Sequence, residues 1–265
     1  MVAVMTEIRR TRVWPLAALV VSLFAASPAV IAQTSPEVQL LRKEIEALKQ
    51  RQEALQKDLD ALKAQVGAPA ATAASVAVSN IVLRLDRVAI RGDASARVVL
   101  VEMSDFECPF CGRHFRQTAP LIDRDYVVSG KIRQAFVNLP LTIHRNAFTA
   151  AEAGACAADQ GKFWEMHDRL FSNQRQLFAP MLPTYATAVG VNADQFRACL
   201  DTHRHADDVR NDIAMAQRAG ATATPTFFIG MLDPKTLNVS VTDRIVGAKP
   251  YAVFQQALDA ALARK

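Results

Sequence analysis

The sequence is poor in cysteine and has no strong excess of charge. Only four of its 265 residues are cysteines, one CxxC motif is present at residues 108–111, and no second CxxC or closely spaced histidine pair lies near it in the sequence. The CxxC motif therefore supplies too few ligands for an ordinary four-ligand zinc site, and His114 is the only further candidate ligand nearby. The net charge of +5 falls to +3 without residues 1–32, which carry three arginines and one glutamate. We therefore expect no nucleic-acid partner.

The CPFC tetrapeptide carries the strongest chemical signal. The preceding run, residues 98–103, is mostly apolar and β-branched, which predicts a buried strand. Pro109 suits the first position of a helix and leaves Cys108 as its N-cap. Backbone N–H groups and the helix dipole would lower the pKa of Cys108 there, and Cys111, one turn further on, can close a disulfide. We predict a redox-active pair, with a static disulfide or a zinc half-site as alternatives.

One acidic residue interrupts the predicted strand. Glu102 lies six residues before Cys108 in an otherwise apolar run. Burial would be costly for an isolated carboxylate and would raise its pKa, and such an acid can relay protons. The alternative is a strand residue that points into solvent.

A proline begins the apolar run near the C-terminus. Residues 220–229 predict a turn followed by a strand, and Pro225 cannot donate to a central ladder. A cis turn at Pro225 would leave the adjoining backbone groups free to pair with an incoming peptide.

Several segments together resemble one known family, the DsbA-like thioredoxin-fold thiol-disulfide oxidoreductases, over about residues 81–265. The segments are EMSDFE at 102–107 before CPFC, Leu139-Pro140-Leu141 with His144 and Asn146-Ala147, GKFWEMHD at 161–168, Thr224-Pro225 and Val246-Gly247. The resemblance implies an α/β fold of the thioredoxin type with a helical insertion at about 146–218.

The resemblance also implies a role for each site residue. Cys108 corresponds to the nucleophile, Cys111 to the resolving thiol, Glu102 to the buried acid and Pro225 to the cis-proline, which Thr224 precedes. We expect no cofactor and no metal. Expected partners are exported proteins that contain cysteine and a membrane redox partner that recycles the active site.

Two departures leave the direction of electron flow open. Strongly oxidising members of the family have a histidine before the second cysteine, whereas Phe110 offers neither charge nor a hydrogen bond. The Cys108 thiolate should therefore be less stabilised than in those members. Thr224 before the proline resembles the isomerase branch more than the strong-oxidase branch.

The N-terminus predicts export. Three arginines precede an uncharged run from Val13 to Ala32, and Val30-Ile31-Ala32 fits a cleavage signature. We assign residues 1–32 to a signal peptide and the protein to the periplasm. The alternative is an uncleaved inner-membrane anchor.

A heptad pattern follows the signal. Apolar positions alternate in steps of three and four, with leucine at every d position and Gln52 as the polar exception. Ser35 and Pro36 suit a helix start and Gly67 a stop. We predict a coiled coil within residues 33–66 that forms a homo-oligomer, dimer or trimer, through residues 36–66. The alternative is a helix folded onto the catalytic domain. The apolar positions of the heptad pattern are Val38, Leu41, Ile45, Leu48, Leu55, Leu59, Leu62 and Val66.

The rest of the chain predicts one catalytic domain. Residues 67–80, rich in small residues, predict a linker to a domain at 81–265. The pattern predicts strands at 98–103, 132–138, 226–230 and 241–246, a helix from 109, a helical stretch from about 146 to 218 and a final helix from 250.

Two cysteines remain outside the CPFC motif. Cys156 and Cys199 fall on predicted helices of the insertion, where they could form a stapling disulfide. Free buried thiols and a second redox pair are the alternatives. His203 and His205, with Asp207, Asp208 and Asp212 nearby, could form a metal site, but at helical spacing they would face different sides, which favours a solvated surface.

These patterns together predict a periplasmic oxidoreductase that forms or isomerises disulfides in exported proteins. Two alternatives belong to other classes: a coiled-coil scaffold with a thioredoxin-like binding module, and a metal-handling thiol protein.

Overall fold

The computed structural model describes residues 36–65, 75–78 and 80–264. The chain divides into two compact units, Met1–Pro69 and Ala70–Lys265. The predicted signal peptide and cleavage site, the cap Ser35, the stop Gly67 and most of the predicted linker lie outside the described residues. Among the helices that the structure describes, none has both the length and the apolar character needed to cross a bilayer.

The described part of the first unit is one helix, α1, Pro36–Gln65. Its 30 residues correspond to about 45 Å at 1.5 Å per residue. The heptad side chains Leu41, Ile45, Leu48 and Leu55 are each at least half exposed. The helix itself is therefore present as predicted, and its apolar stripe faces solvent in the single chain.

The second unit is built on a seven-stranded sheet with the order β1-β7-β6-β4-β5-β3, and β2 also pairs with β7. Strands β4 and β5 are parallel, and all other pairs are antiparallel. The strands are β1 (Ser75–Ala77), β2 (Val82–Arg84), β3 (Ala89–Arg91), β4 (Val98–Ser104), β5 (Ile132–Asn138), β6 (Thr226–Leu232) and β7 (Asn238–Val246).

Eight further helices surround the sheet in the described part of this unit, apart from short 3₁₀ turns and one π-helical turn at Asp123–Val127. They are α2 (Pro109–Gln117), α3 (Ala119–Ile122), α4 (Ala147–Ala158), α5 (Phe163–Ser172), α6 (Leu182–Ala188), α7 (Ala193–Asp201), α8 (Ala206–Arg218) and α9 (Tyr251–Ala263). The insertion between β5 and β6 thus consists of α4 to α8.

The predicted mixed α/β fold with a helical insertion is confirmed. Strand β4 lies at the centre of the sheet, and all seven of its residues are buried. Val99, Val101 and Met103 pack on one face with Ala216 of α8, while Leu100 packs on the other face with Phe254 of α9. Period-two alternation along β4 therefore gives each face of the sheet its own core.

The predicted linker extends too far. The sequence assigns residues 67–80 to the linker, whereas Ser75–Ala77 form β1. This strand pairs with β7, from Ser75↔Ile245 to Ala77↔Asp243. The sheet therefore begins before residue 81. Three-residue strands bury too few side chains to give a sequence pattern, which is why β1, β2 and β3 were not predicted.

Candidate active site around Cys108 and Cys111

Cys108 lies where β4 turns into α2. It is the N-cap residue of α2, with Pro109 in the first turn. Its backbone N–H donates to the Asp105 carbonyl at 3.1 Å, and its carbonyl accepts from the Gly112 N–H at 3.1 Å. Cys108 and Cys111 are both buried and both free thiols. The loop therefore holds two sulfurs one turn apart at the positive end of a helix.

The two thiols have opposite pKa shifts. A hydrogen bond from the Cys111 thiol, helped by the backbone N–H groups of Cys111 and Phe110, lowers the pKa of Cys108 to about 5. Burial raises the pKa of Cys111, and the neighbouring Cys108 sulfur raises it further. At neutral pH the pair therefore consists of a thiolate at Cys108 and a thiol at Cys111.

Phe110 stabilises the thiolate through its backbone alone. Its side chain is 53% exposed, and the Arg113 guanidinium lies 5.1 Å from the centre of its ring. The ring thus offers an apolar surface beside the reactive sulfur, where a histidine would add charge.

The Thr224–Pro225 peptide bond is cis. The Cys108 Sγ lies 3.5 Å from the Thr224 carbonyl oxygen, although 116 residues separate the two in sequence. The Pro225 carbonyl accepts a hydrogen bond from the Gly247 N–H at 2.8 Å. The sequence predicts that the backbone groups beside Pro225 are free for an incoming peptide. The Pro225 carbonyl is instead already paired within the chain, because the end of β7 runs alongside this turn.

Asp105 joins the loop before CPFC to the loop after β5. Its Oδ1 accepts the Glu107 N–H at 2.7 Å, and its Oδ2 contacts the Leu141 N–H at 2.8 Å and His144 Nδ1 at 2.7 Å. Glu107 in turn accepts two hydrogen bonds from Asn146. The segment at 139–147 that contributed to the family resemblance therefore fixes the position of the active-site loop.

Gln174, which sequence reasoning missed, binds the active-site loop directly. Its Nε2 donates to the carbonyls of Phe106 at 2.8 Å and Cys108 at 2.9 Å. Gly112 allows this approach, since a Cβ at that position would overlap the Gln174 amide. No local pattern marks a glutamine 66 residues away, so only the fold of the insertion reveals this contact.

Glu102 is buried within β4, which contradicts the solvent-facing alternative. It is 3% exposed, and burial raises its pKa to about 7. Gln134 donates from Nε2 to Glu102 Oε2 at 3.5 Å, and its Oε1 accepts a hydrogen bond from the Arg91 guanidinium at 2.7 Å. A cavity of about 320 Å³, lined in part by Arg91, Glu102, Gln134 and His167, reaches this carboxyl group.

The other two cysteines form a disulfide in the structure. Cys156 on α4 and Cys199 on α7 are bonded, with Cα atoms 5.9 Å apart, and so join two helices of the insertion. Cys156, Cys199 and His205 bring their candidate metal-ligand atoms within 4.8 Å of one another. Because both sulfurs are committed to the disulfide, this group offers no thiolate ligand.

His203 and His205 lie in the turn between α7 and α8 rather than on a helix. The chain reverses there, and His203 has a left-handed φ of 49°. His203 Nδ1 lies 3.1 Å from Glu152, while His205 contacts Asp208 at 2.8 Å and Asp159 at 3.0 Å. The two rings therefore contact different carboxylates.

Comparisons with known proteins agree with this fold. Residues 86–236 match the family model described as Thioredoxin. The crystal structure of oxidised BdbD from Bacillus subtilis is 22% identical, with a TM-score of 0.60 over 71% of this chain and 98% of that one. The structure of α-DsbA1 from Wolbachia pipientis is also 22% identical, with a TM-score of 0.59 over 69% and 94%.

The curated relatives that match this chain are longer proteins named as Na(+)/H(+) antiporters. The Na(+)/H(+) antiporter NhaA 3 of Salinispora tropica is 40% identical over 145 residues, which are 54% of this chain and 22% of that protein. The antiporter NhaA 1 of Salinispora arenicola is 37% identical over 171 residues, or 62% and 26%. This chain therefore spans about a quarter of the length of these relatives.

Proposed function

This chain belongs to the thioredoxin family, and from that premise we propose that it is a thiol-disulfide oxidoreductase acting on cysteines of exported proteins. The observation that supports this most is the opposite shift of the two thiol pKa values: lowered at Cys108 and raised at Cys111. A reactive thiolate beside a protonated partner is what sequential disulfide exchange requires.

The reaction needs no cofactor. The Cys108 thiolate attacks one sulfur of a client disulfide, the client S–S bond breaks, and the other client sulfur leaves as a thiolate. Cys111 then loses its proton and attacks Cys108, which forms the 108–111 disulfide and releases the client as a thiolate. In the oxidising direction the same steps run in reverse, so two electrons pass from the client dithiol to the protein.

The buried carboxyl group serves the second step. Cys111 is a thiol at neutral pH and must give up its proton before it attacks. Glu102, with its pKa raised to about 7, titrates in the range where an acid-base group works best. Glu102 therefore accepts this proton in the reducing direction and returns it in the oxidising direction.

Both disulfide formation and isomerisation fit this chemistry. Phe110 adds no charge at the thiolate, and Thr224 precedes the cis-proline. A membrane redox partner would set which direction prevails, by keeping the pair oxidised or reduced.

The N-terminal segment, residues 1–66, would determine cellular location and oligomeric state. Residues 1–32 would export the chain to the periplasm, and residues 33–66 would oligomerise. The half-exposed leucines of α1 support oligomerisation, since a coiled coil would bury this stripe. The same observation favours the second candidate function, a scaffold whose thioredoxin-like domain only binds clients.

Two assays on the mature full chain separate the candidates. An enzyme will reduce insulin in the presence of dithiothreitol and will refold scrambled ribonuclease, and the Cys108→Ser, Cys111→Ser double variant will do neither. A scaffold will leave both rates at background. Equal rates for the full chain and the double variant would refute the enzyme.

The role of α1 has its own test. Tethering several active sites raises their effective concentration around one client. We therefore expect that deletion of residues 33–66 gives a monomer by sedimentation that keeps dithiol oxidation but loses isomerisation. A deletion variant that stays oligomeric, or a monomer that isomerises equally well, would break the link between α1 and activity.

A further inference from the structure

The 156–199 disulfide lies beside a histidine that the function proposed above does not use. Cys156 on α4 and Cys199 on α7 have their Cα atoms 5.9 Å apart, and both side chains are buried. His205 is the N-cap residue of α8, and the candidate ligand atoms of the three residues lie within 4.8 Å of one another. Three elements of the insertion therefore bring two sulfurs and one imidazole nitrogen to one point.

Asp159 adds an oxygen to this group. It is the C-cap residue of α4, and its Oδ2 lies 3.9 Å from Cys199 Sγ and 3.0 Å from His205 Nε2. Two cysteine sulfurs, one imidazole nitrogen and one carboxylate oxygen are all ligand types that zinc takes, and four of them complete a tetrahedral site. A divalent cation at this point would also offset the repulsion between the carboxylate and the thiolates.

Asp208 holds the imidazole from its other side. Its Oδ2 lies 2.8 Å from His205 Nδ1, so Nε2 is the nitrogen that faces Asp159. A histidine that binds a metal almost always gives its second ring N–H to a carboxylate, a carbonyl or water, which fixes the orientation of the ring. His205 thus has a carboxylate in each of the two places that a metal-binding histidine uses: one beside the ligating nitrogen and one behind it.

A cavity connects this group with the surface. It has a volume of about 480 Å³, and Ala155, Asp159, His205 and Asp208 are among its lining residues. The Asp159 side chain is 34% exposed and that of His205 is 16% exposed, whereas the sulfurs are buried. An ion would therefore meet the carboxylate and the imidazole first and the sulfurs last, which supplies the entry path that a metal site needs.

We propose that Cys156 and Cys199, when reduced, bind one zinc ion together with His205 and Asp159, at a site independent of the oxidoreductase function proposed above. A dithiol reductant cleaves the disulfide: two electrons pass to the sulfurs, two thiols form and the reductant becomes a disulfide. Zinc then binds as the two thiol protons leave. In the opposite direction a disulfide oxidant takes two electrons from the thiolates, the S–S bond forms and zinc is released.

The metal site belongs to the chain before its disulfide closes. A newly made chain carries four thiols, and four cysteines allow three ways of forming two disulfides. Zinc on Cys156 and Cys199 keeps these sulfurs from pairing with Cys108 or Cys111. The ion also joins α4, α7 and the start of α8, so it holds the same helices that the disulfide later joins.

Cobalt and zinc titrations of the untagged full chain test the site. Cys108→Ser and Cys111→Ser are introduced first, so that the CPFC motif cannot bind the metal. The protein is reduced with a phosphine and freed of metal without air. We expect one cobalt ion per chain, with the thiolate-to-cobalt absorption and the visible bands of a tetrahedral site, and displacement of cobalt by one equivalent of zinc. The same protein with the 156–199 disulfide closed should show neither band.

Two neighbouring histidines provide the matched comparison. We expect Asp208→Asn to weaken zinc binding to the reduced chain about tenfold, since it removes the group behind the ligand, and His205→Asn to weaken it more. His203→Asn is the control, because His203 instead contacts Glu152 and its side chain is 68% exposed. It should keep the parent affinity. Equal affinities in the His203 and His205 variants would overturn the site, as would a reduced parent without a thiolate-to-cobalt band.

Two further measurements test whether metal and disulfide exclude each other. Glutathione disulfide should close the 156–199 bond at least about tenfold more slowly with saturating zinc than without it, and a chromogenic chelator should detect one zinc ion released per bond formed. Closure at the same rate with zinc bound would contradict the proposal. Circular dichroism follows the same samples: a reduced chain that is unfolded and stays so at saturating zinc would also overturn the site.

Discussion

Cys108 and Cys111 lie three residues apart at the start of α2, whereas Cys156 and Cys199 lie 43 residues apart on α4 and α7. All four side chains are at most 3% exposed. The first pair consists of free thiols and the second is a disulfide. Burial therefore does not decide which cysteines react.

The surroundings of the sulfurs differ in the sign of their charge. The Cys111 thiol, together with backbone N–H groups, donates to Cys108 and favours a thiolate. Cys199 Sγ instead lies 3.9 Å from Asp159 Oδ2, and a nearby carboxylate disfavours a thiolate. Sulfurs that are poor thiolates are poor leaving groups, which makes their disulfide slow to exchange. From this comparison we expect the Cys111 thiol, the amide donors and the helix terminus to make the first pair exchange, and the carboxylate to leave the second pair structural.

The largest expected effect concerns which pair carries turnover. Cys108→Ser should abolish insulin reduction, and Cys111→Ser should accumulate mixed disulfides with clients. The Cys156→Ser, Cys199→Ser double variant should keep the parent rate at a temperature where it stays folded. Client adducts found by mass spectrometry on Cys111 of the parent, with none on Cys108, would reverse the two roles.

The second prediction reverses the comparison by measuring stability instead of rate. Removal of the 156–199 disulfide in the double serine variant should lower the free energy of unfolding by about 2–4 kcal/mol, because the disulfide closes a loop of more than 40 residues. Urea titration with intrinsic fluorescence measures this loss. A stability unchanged within error would show that the disulfide is not a structural staple.

A smaller effect is expected in how the free energy of unfolding of the reduced protein depends on pH. The pKa of Cys108 is about 5 in the folded chain and about 8.5 when unfolded. A lowered pKa contributes stability that is complete above the unfolded value and disappears as the pH falls through 5. The stability advantage of the reduced parent over reduced Cys108→Ser should therefore shrink from pH 8.5 to pH 5. An advantage that is constant with pH would refute a stabilised thiolate.

The smallest expected effect comes from Phe110→His. An imidazolium beside the sulfur adds a positive charge where the benzyl group adds none, so the pKa of Cys108 should fall and the pair should become more oxidising. Ultraviolet titration of the thiolate measures the shift, and Phe110→Leu serves as the uncharged control. An identical titration in all three proteins would show that the side chain at position 110 does not influence the pKa of Cys108.

Local pattern was sufficient to predict the elements that carry the chemistry. The apolar run at 98–103 gave the central strand and Pro109 the start of α2, because burial and proline geometry act within a few residues. Strands β6 and β7 were predicted too short. The added end of β6 includes the half-buried Met231, and β7 begins at the polar Asn238; both residues gain their strand structure from pairing with a neighbouring strand.

Contacts between distant segments could not be predicted from local pattern. Gln174 reaches the Cys108 carbonyl from the insertion, and Glu102 meets His114 across the interface of β4 and α2. The sequence shows that Glu102 interrupts an apolar strand, but only packing shows whether such an acid is buried and what faces it. Long-range geometry thus supplies the groups that tune the pair, while sequence identifies the pair itself.

The most direct test of the difference between the two cysteine pairs is a redox titration that follows both in one molecule. The mature full chain is equilibrated in glutathione buffers of graded potential, its free thiols are alkylated, and the modified peptides are quantified by mass. We predict that Cys108 and Cys111 become reduced at a clearly less negative potential than Cys156 and Cys199, which stay bonded throughout the glutathione range. Reduction of both pairs at one potential, or of Cys156 and Cys199 first, would contradict the account.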